Sequence, residues 1–184
     1  IHVMTHPFDG YWDLKHEKRG NMKGALLIGA ITIAAFIYHG MGKSYIFAPN
    51  NMGVNIVAEI AGLLTPYLLW CIANWCLTTL FDGEGSFKDI CIATAYAVLP
   101  LPLILIPATM LTNIIVAEEA SLITLLINFG WIWTGFLLFF GMMVTHDYTL
   151  GKNFITAIVS IVGVAFIIFI VGLFSTLVAK VFTF

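Results

Sequence analysis

Two histidine–carboxylate pairs are the side chains in this sequence best suited to acid–base or metal chemistry. His16 precedes Glu17, and His146 precedes Asp147. A histidine titrates near neutral pH, and together with a carboxylate it can hold a metal ion or move a proton. However, no third ligand has the spacing of a metal site, and adjacent residues on a short loop point in different directions. We interpret both pairs as titratable surface groups and predict no catalytic residue, metal or cofactor. An intramembrane enzyme built on His16, His146 and Asp147 is the third of three functional hypotheses.

A glycine-containing loop opens the stretch FDGEGSFKDICIATAYAVLP, from Phe81 to Pro100. Two glycines and a lysine are typical of phosphate-binding loops, but the Walker pattern is absent and no strand precedes the loop. The pattern better fits a turn between two helices, in which Ser86 caps the second helix and Asp89 completes an acidic capping box. We therefore predict no nucleotide binding and a role in contacts with partners for the loop residues Asp82, Gly83, Gly85 and Lys88.

Three polar residues lie within long apolar runs: Glu59, Asn74 and Asn128. A carboxylate inside a membrane span costs about 2.5 to 3.5 kcal/mol on insertion scales, so Glu59 is a functional-site hypothesis. It lies near the start of its run, which favours a water-facing group over an ion or proton ligand. For the two asparagines, hydrogen bonding between helices, worth about 0.6 kcal/mol on average, is favoured over a transport pathway.

The composition indicates that these side chains belong to a membrane protein. The chain has 184 residues, of which 60% are hydrophobic and only 10% charged, and its mean hydropathy is +0.99. Soluble domains carry about 25% charged residues, and this chain has too few polar residues to cover a soluble exterior. We therefore predict that the chain is embedded in the lipid bilayer. The net charge of −2 and the scattered basic residues argue against a nucleic-acid partner.

Five apolar runs are each long enough for the roughly 20 residues of a spanning helix. They are continuous rather than alternating, which favours helices over barrel strands. The predicted fold is an all-α bundle of five transmembrane helices over residues 24–184, preceded by a short amphipathic arm over residues 1–23. The runs are Gly24–Gly42, Val54–Phe81, Ile90–Ala117, Ala120–Thr145 and Asn153–Ala179.

Three prolines interrupt the third run at Pro100, Pro102 and Pro107. Each removes a backbone donor and clashes with the preceding turn. A break at membrane depth is tolerated where protein or water covers the freed carbonyl groups. We therefore predict a kinked third helix that faces other helices, acting either as a hinge or as a fixed bend.

The arm, PFDGYWDLKHEKRG, has the pattern of a short helix that begins at Pro7 and ends before Gly20. Its aromatic residues have i, i+3, i+4 spacing. We predict an interfacial helix with an aromatic stripe toward the acyl chains and basic residues toward the headgroups. The alternative is a solvated arm whose aromatic side chains pack on the bundle. The candidate interface residues are Phe8, Tyr11, Trp12, Lys15, Lys18 and Arg19.

The distribution of Lys and Arg predicts the orientation, because cytoplasmic loops carry the excess of basic residues. The arm and the second and fourth connections hold six such residues: Lys15, Lys18, Arg19, Lys23, Lys88 and Lys152. The other side holds Lys43 and Lys180. We expect the amino terminus in the cytoplasm and the carboxyl terminus outside.

Two stretches resemble the Yip1 domain family of small membrane proteins. One is the glycine loop with Ser86, Phe87 and Lys88, followed by the pairs Tyr96-Ala97 and Leu99-Pro100; the other is THDYTLGKNFITAIVSIVG, from Thr145 to Gly163. The resemblance covers about four-fifths of the chain, from Gly24 onward. The short arm is unlike the long amino-terminal region of eukaryotic members, which suggests a bacterial or archaeal protein in the cytoplasmic membrane.

The resemblance implies a non-enzymatic protein that binds or organises other membrane proteins or the local bilayer, including as an accessory partner of transporters. A second copy of the chain is an alternative partner, which leaves a homo-oligomer open. The competing function is a small transporter or channel component that uses Glu59, Asn74, Asn128 and the broken third helix.

Overall fold

The computed structural model describes residues 2–44, 53–78 and 80–182, and within these ranges the secondary structure is helical, without strands. A short 3₁₀ turn, Ala117–Glu119, precedes the seventh helix. The α-helices are α1 (His2–Thr5), α2 (Pro7–His16), α3 (Met22–Gly42), α4 (Ile56–Thr78), α5 (Phe87–Ala97), α6 (Pro100–Thr112), α7 (Ala120–His146) and α8 (Leu150–Phe182).

Five helical segments of the described chain are long and apolar enough to cross a membrane: α3, α4, α5 with α6, α7 and α8. This confirms the predicted bundle of five transmembrane helices. The predicted ends differ by a few residues, because α4 ends at Thr78 rather than Phe81 and α8 begins at Leu150 rather than Asn153. The chain is an integral membrane protein.

The third span, α5 with α6, is the centre of the bundle. In its most apolar window 61% of the residues are buried, against 11 to 22% in the other spans. It packs against α3, α4 and α7. Small side chains allow this close packing between membrane helices. Its buried small residues include Ala93, Thr94, Ala95, Ala97, Ala108 and Thr109.

The proline run breaks this span at one place. Helix α5 ends at Ala97 and α6 begins at Pro100, so Val98 and Leu99 separate them. Pro100 occupies the first position of α6, where its missing N–H has no helical partner to lose. The predicted break facing other helices is confirmed here, whereas Pro107 lies within α6 without ending it.

A polar seam joins α3 to α6 at the end of the bundle away from the arm. His39 Nδ1 lies 2.8 Å from Thr109 Oγ1. The Asn113 amide donates a hydrogen bond of 2.9 Å to the Gly42 carbonyl. The second contact satisfies one of the last carbonyl groups of α3, which have no partner within the helix.

Candidate functional site

Three segments distant in sequence meet at the end of the bundle where α3 begins: the arm helix α2, the loop after α4, and the turn between α7 and α8. We call this surface the arm face. Lys15 Nζ lies 2.7 Å from Asp147 Oδ2 and 3.5 Å from Glu84 Oε2. The hydrogen bond from Lys15 holds the pKa of Asp147 below its usual range. One cation on the arm therefore contacts both connections.

The turn after α7 directs two neighbouring side chains in opposite directions. Asp147 has the left-handed φ of 53° and caps α7, and its carboxylate reaches the arm. His146 instead points into the protein and is 3% exposed. The prediction that His146 is a surface group is therefore wrong: the left-handed cap separates it from Asp147, and the loop after α4 covers its ring.

Two glycines of that loop make the coverage possible. A Cβ on Gly83 would collide with the Tyr148 hydroxyl and would lie 2.6 Å from His146 Nδ1. A Cβ on Gly85 would lie 2.8 Å from Thr145 Cγ2. The rings of His146 and Tyr148 stack with centroids 5.0 Å apart. The glycines thus allow close packing between two connections.

The loop leads into α5 through the predicted capping box, which is confirmed. The Asp89 N–H donates to Ser86 Oγ at 3.3 Å, and the Ser86 N–H donates to Asp89 Oδ2 at 3.2 Å. Upstream, Asp82 has a left-handed φ of 45°, and the Gly83 N–H donates to the Thr78 carbonyl at 3.0 Å. These bonds fix the shape of the loop at both ends.

The arm packs on the bundle through two of its three aromatic residues, Tyr11 and Phe8, and the Phe8 ring contacts the Phe140 ring of α7 edge-on with centroids 4.7 Å apart. Tyr11 is 1% exposed, its ring lies against Gly141, and burial raises the pKa of its hydroxyl well above the usual range. Phe8 and Trp12 are about half exposed, at 46% and 51%. A single aromatic stripe facing the acyl chains is therefore wrong for Tyr11, because the absence of a side chain on Gly141 leaves a place for its ring.

The end of the arm also differs from the prediction. Helix α2 ends at His16, and Lys18 has a left-handed φ of 52°, so Lys18 and Arg19 lie beyond the helix rather than in its last turn. The exposed Arg19 pairs with Glu17 at 2.6 Å. Lys18 and Lys88 are exposed as well. Together with Lys15, these residues make the arm face rich in both charge signs.

The three intramembrane candidates have separate surroundings. Glu59 lies in the first turn of α4, near Gly40 of α3. Asn74 is buried, and its Oδ1 accepts a hydrogen bond of 3.2 Å from Ser160 on α8. Asn128 is on the exposed side of α7.

Within residues 2–44, 53–78 and 80–182, no three His, Cys, Asp or Glu side chains form a group that could hold a metal.

The parts played by Glu84 and Tyr148, and the ion pair between Asp147 and the arm, were not predicted from the sequence. A signal was present: two spans separate the arm from the loop after α4, and two more separate that loop from the turn after α7. All three segments must therefore emerge on the same side of a membrane. Opposite charges in segments on the same side can form ion pairs.

Comparison with known proteins identifies one family. The model of the Yip1 domain matches residues 1–181, so the similarity includes the arm as well as the spans from Gly24 onward. Comparison with curated proteins and with solved structures gave no significant match.

Proposed function

The chain belongs to the Yip1 domain family, and from this membership we propose that it is a non-enzymatic membrane protein that binds and organises other membrane proteins through the arm face, including as an accessory to transporters. The observation that carries this proposal is the position of Lys15 between Asp147 and Glu84. It joins the arm to two connections and gives the bundle a fixed polar surface at one end.

The two stretches that carry the family resemblance support the choice of this surface. The loop that contains Gly83 and Gly85 packs directly on the turn that contains His146 and Tyr148. Tight packing of two polar connections suits a surface that must keep one shape while a partner binds, because a rigid surface loses less conformational freedom on binding.

The basic residues support placing the arm face in the cytoplasm. Six of the eight Lys and Arg residues belong to the arm and to the second and fourth connections. Cytoplasmic connections carry this excess in membrane proteins. On this proposal, the partner is a membrane protein whose cytoplasmic segments lie close to the headgroups, where the exposed Lys18 and Lys88 can reach it.

Transport is the competing hypothesis. It has less support, because its three polar residues do not converge: Glu59 lies near Gly40 of α3, Asn74 bonds to Ser160 of α8, and Asn128 faces away from the bundle. A pathway through the protein needs polar groups that line one route.

A photo-crosslinking experiment in native membranes tests the proposal. A photoreactive amino acid replaces Lys88 on the arm face, and a matched variant carries it at Ile114, an exposed residue after α6. We expect one recurrent membrane protein to be captured from position 88 and not from position 114. Lys15→Met should reduce this capture, because it removes the ion pairs from the arm to Asp147 and Glu84.

Two outcomes would contradict the proposal. The first is identical capture from both positions, which indicates random collisions in the bilayer. The second is solute flux by the purified protein in liposomes that Glu59→Gln abolishes and Lys15→Met leaves unchanged. That result would assign the function to transport and to the opposite end of the bundle.

A further inference from the structure

The two intramembrane asparagines differ in whether they have a partner. Hydrogen bonding to a neighbouring helix was the expectation for both. Asn74 has such a bond, which it accepts from Ser160 of α8. Asn128 is exposed, and its side chain makes no hydrogen bond with the residues that the structure describes. A partner for Asn128 must therefore come from outside that part of the chain.

The position of Asn128 along α7 places it in the hydrocarbon. The middle residue of Ala120–His146 is Trp133, and Asn128 is about 7.5 Å from it along the helix axis at 1.5 Å per residue. With α7 centred in the membrane, this lies well inside the half-thickness of about 15 Å. Water is absent there, so an unpaired carboxamide facing lipid is unfavourable.

Asn128 belongs to a heptad seam on the exposed face of α7. Ser121, Asn128 and Gly135 follow one another at intervals of seven residues. Leu125 and Ile132 lie four residues after the first two and are largely exposed. The surface beside Asn128 is open along this face of α7, and a Cβ on Gly135 would meet nothing within 4 Å. Such a seven-residue repeat is the pattern along which two helices pack in a left-handed crossing.

We propose that a second copy of this chain packs its own α7 on this seam, forming a parallel symmetric dimer in which the two Asn128 carboxamides bond to each other. Both copies have the same orientation in the membrane, so a two-fold axis along the membrane normal places the two side chains at the same depth. A carboxamide is both donor and acceptor and therefore complements itself. A single asparagine in a heptad seam sets the register and the number of helices.

The inference does not depend on the proposed function, because the seam lies within the span and the arm face lies at the end of the bundle. A different partner chain would need a matching polar group at the same depth. A second copy supplies that group by symmetry.

Energy transfer between labelled copies in liposomes, followed as the protein is diluted into lipid, measures the association. In membrane proteins one hydrogen bond between helices averages about a threefold effect on stability, so loss of the reciprocal pair of bonds by Asn128→Leu should weaken the dimer by about ninefold. Thr176→Leu is the matched control, since it removes an exposed polar side chain from α8 that bonds to its own helix at Leu173. The control should associate like the natural protein.

A second measurement uses oxidative crosslinking after Cys76→Ala removes a native exposed cysteine. Asn128→Cys should give a covalent dimer in the membrane, and Thr176→Cys should not. Association that is unchanged in Asn128→Leu, a monomer at every dilution, equal crosslinking from both positions, or crosslinking of position 128 only to a different protein would each overturn the proposal.

Discussion

Gly141→Ala should weaken the docking of the arm on the bundle while leaving α7 helical. The added Cβ would lie 2.9 Å from Tyr11 Cζ and 3.0 Å from Cε1. Tyr11 is 1% exposed, and the cavity that it lines has room for only about 10 Å³, so its ring has little space into which to move. Alanine favours a helix over glycine by about 1 kcal/mol. Overpacking costs about 1 to 3 kcal/mol, and a displaced ring forfeits about 1.5 to 3 kcal/mol of apolar burial. The first effect stabilises α7 alone, whereas the others act on the contact between arm and bundle.

Hydrogen exchange of residues 2–16 in detergent micelles measures this contact. The ring is either overpacked in place or displaced, so only one of these two costs applies. A loss at their lower end, about 1.4 kcal/mol in the free energy of docking, raises the open fraction about tenfold, and we expect a rise of at least that size. Gly135→Ala is the control on the same helix, because its Cβ meets nothing within 4 Å, and it should leave exchange of the arm unchanged.

A double-mutant cycle sharpens the experiment. After Tyr11→Ala has removed the ring, Gly141→Ala should have no further effect on the arm, since the two substitutions act on one contact. Unchanged exchange in Gly141→Ala, or an equal increase in Gly135→Ala, would refute the packing argument.

Three further predictions concern polar contacts. Lys15 lowers the pKa of Asp147 in the folded protein. Their pairing therefore stabilises the docked arm above the ordinary aspartate pKa of about 3.9, and this stabilisation is lost as the pH falls through the lowered pKa. Hydrogen exchange of the arm, corrected for intrinsic rates, should rise only in acid, and Lys15→Met should abolish this pH dependence. Ser86→Ala removes the cap of α5 and should lower stability to denaturant by about 0.5 to 2 kcal/mol, whereas Ser86→Thr should retain most of it. Ser160→Ala, which removes the bond to Asn74, should lower stability by about 0.6 kcal/mol; a loss above about 2 kcal/mol would contradict a single bond between helices.

The spans and the capping box could be predicted from the sequence because each depends on neighbours along the chain. A spanning helix needs a continuous apolar run, and the box needs Ser86 and Asp89 three residues apart. The break in the third span was predictable for the same reason, although its position was not. Pro100 begins a helix, whereas Pro107 lies within one, and the choice depends on the helices packed around them.

The arm face could not be predicted because its contacts join residues far apart in sequence. Lys15 and Asp147 are 132 positions apart. Burial of Tyr11 depends on the missing side chain of Gly141, and a spacing rule applied to the arm alone cannot include that information. The same limit explains His146, whose covering comes from the loop after α4.

The central position of the third span bears on the order in which the protein is made. α7 packs along both α5 and α6, yet it follows them in the chain and enters the membrane after them. During that interval the broken span, with its prolines and buried threonines, lacks its cover on the α7 side, although broken backbone in a membrane needs protein or water around it. A nascent chain is therefore complete in its core only after α7 has been inserted, and a chain truncated before that helix exposes the polar features by which an unfinished membrane protein can be recognised.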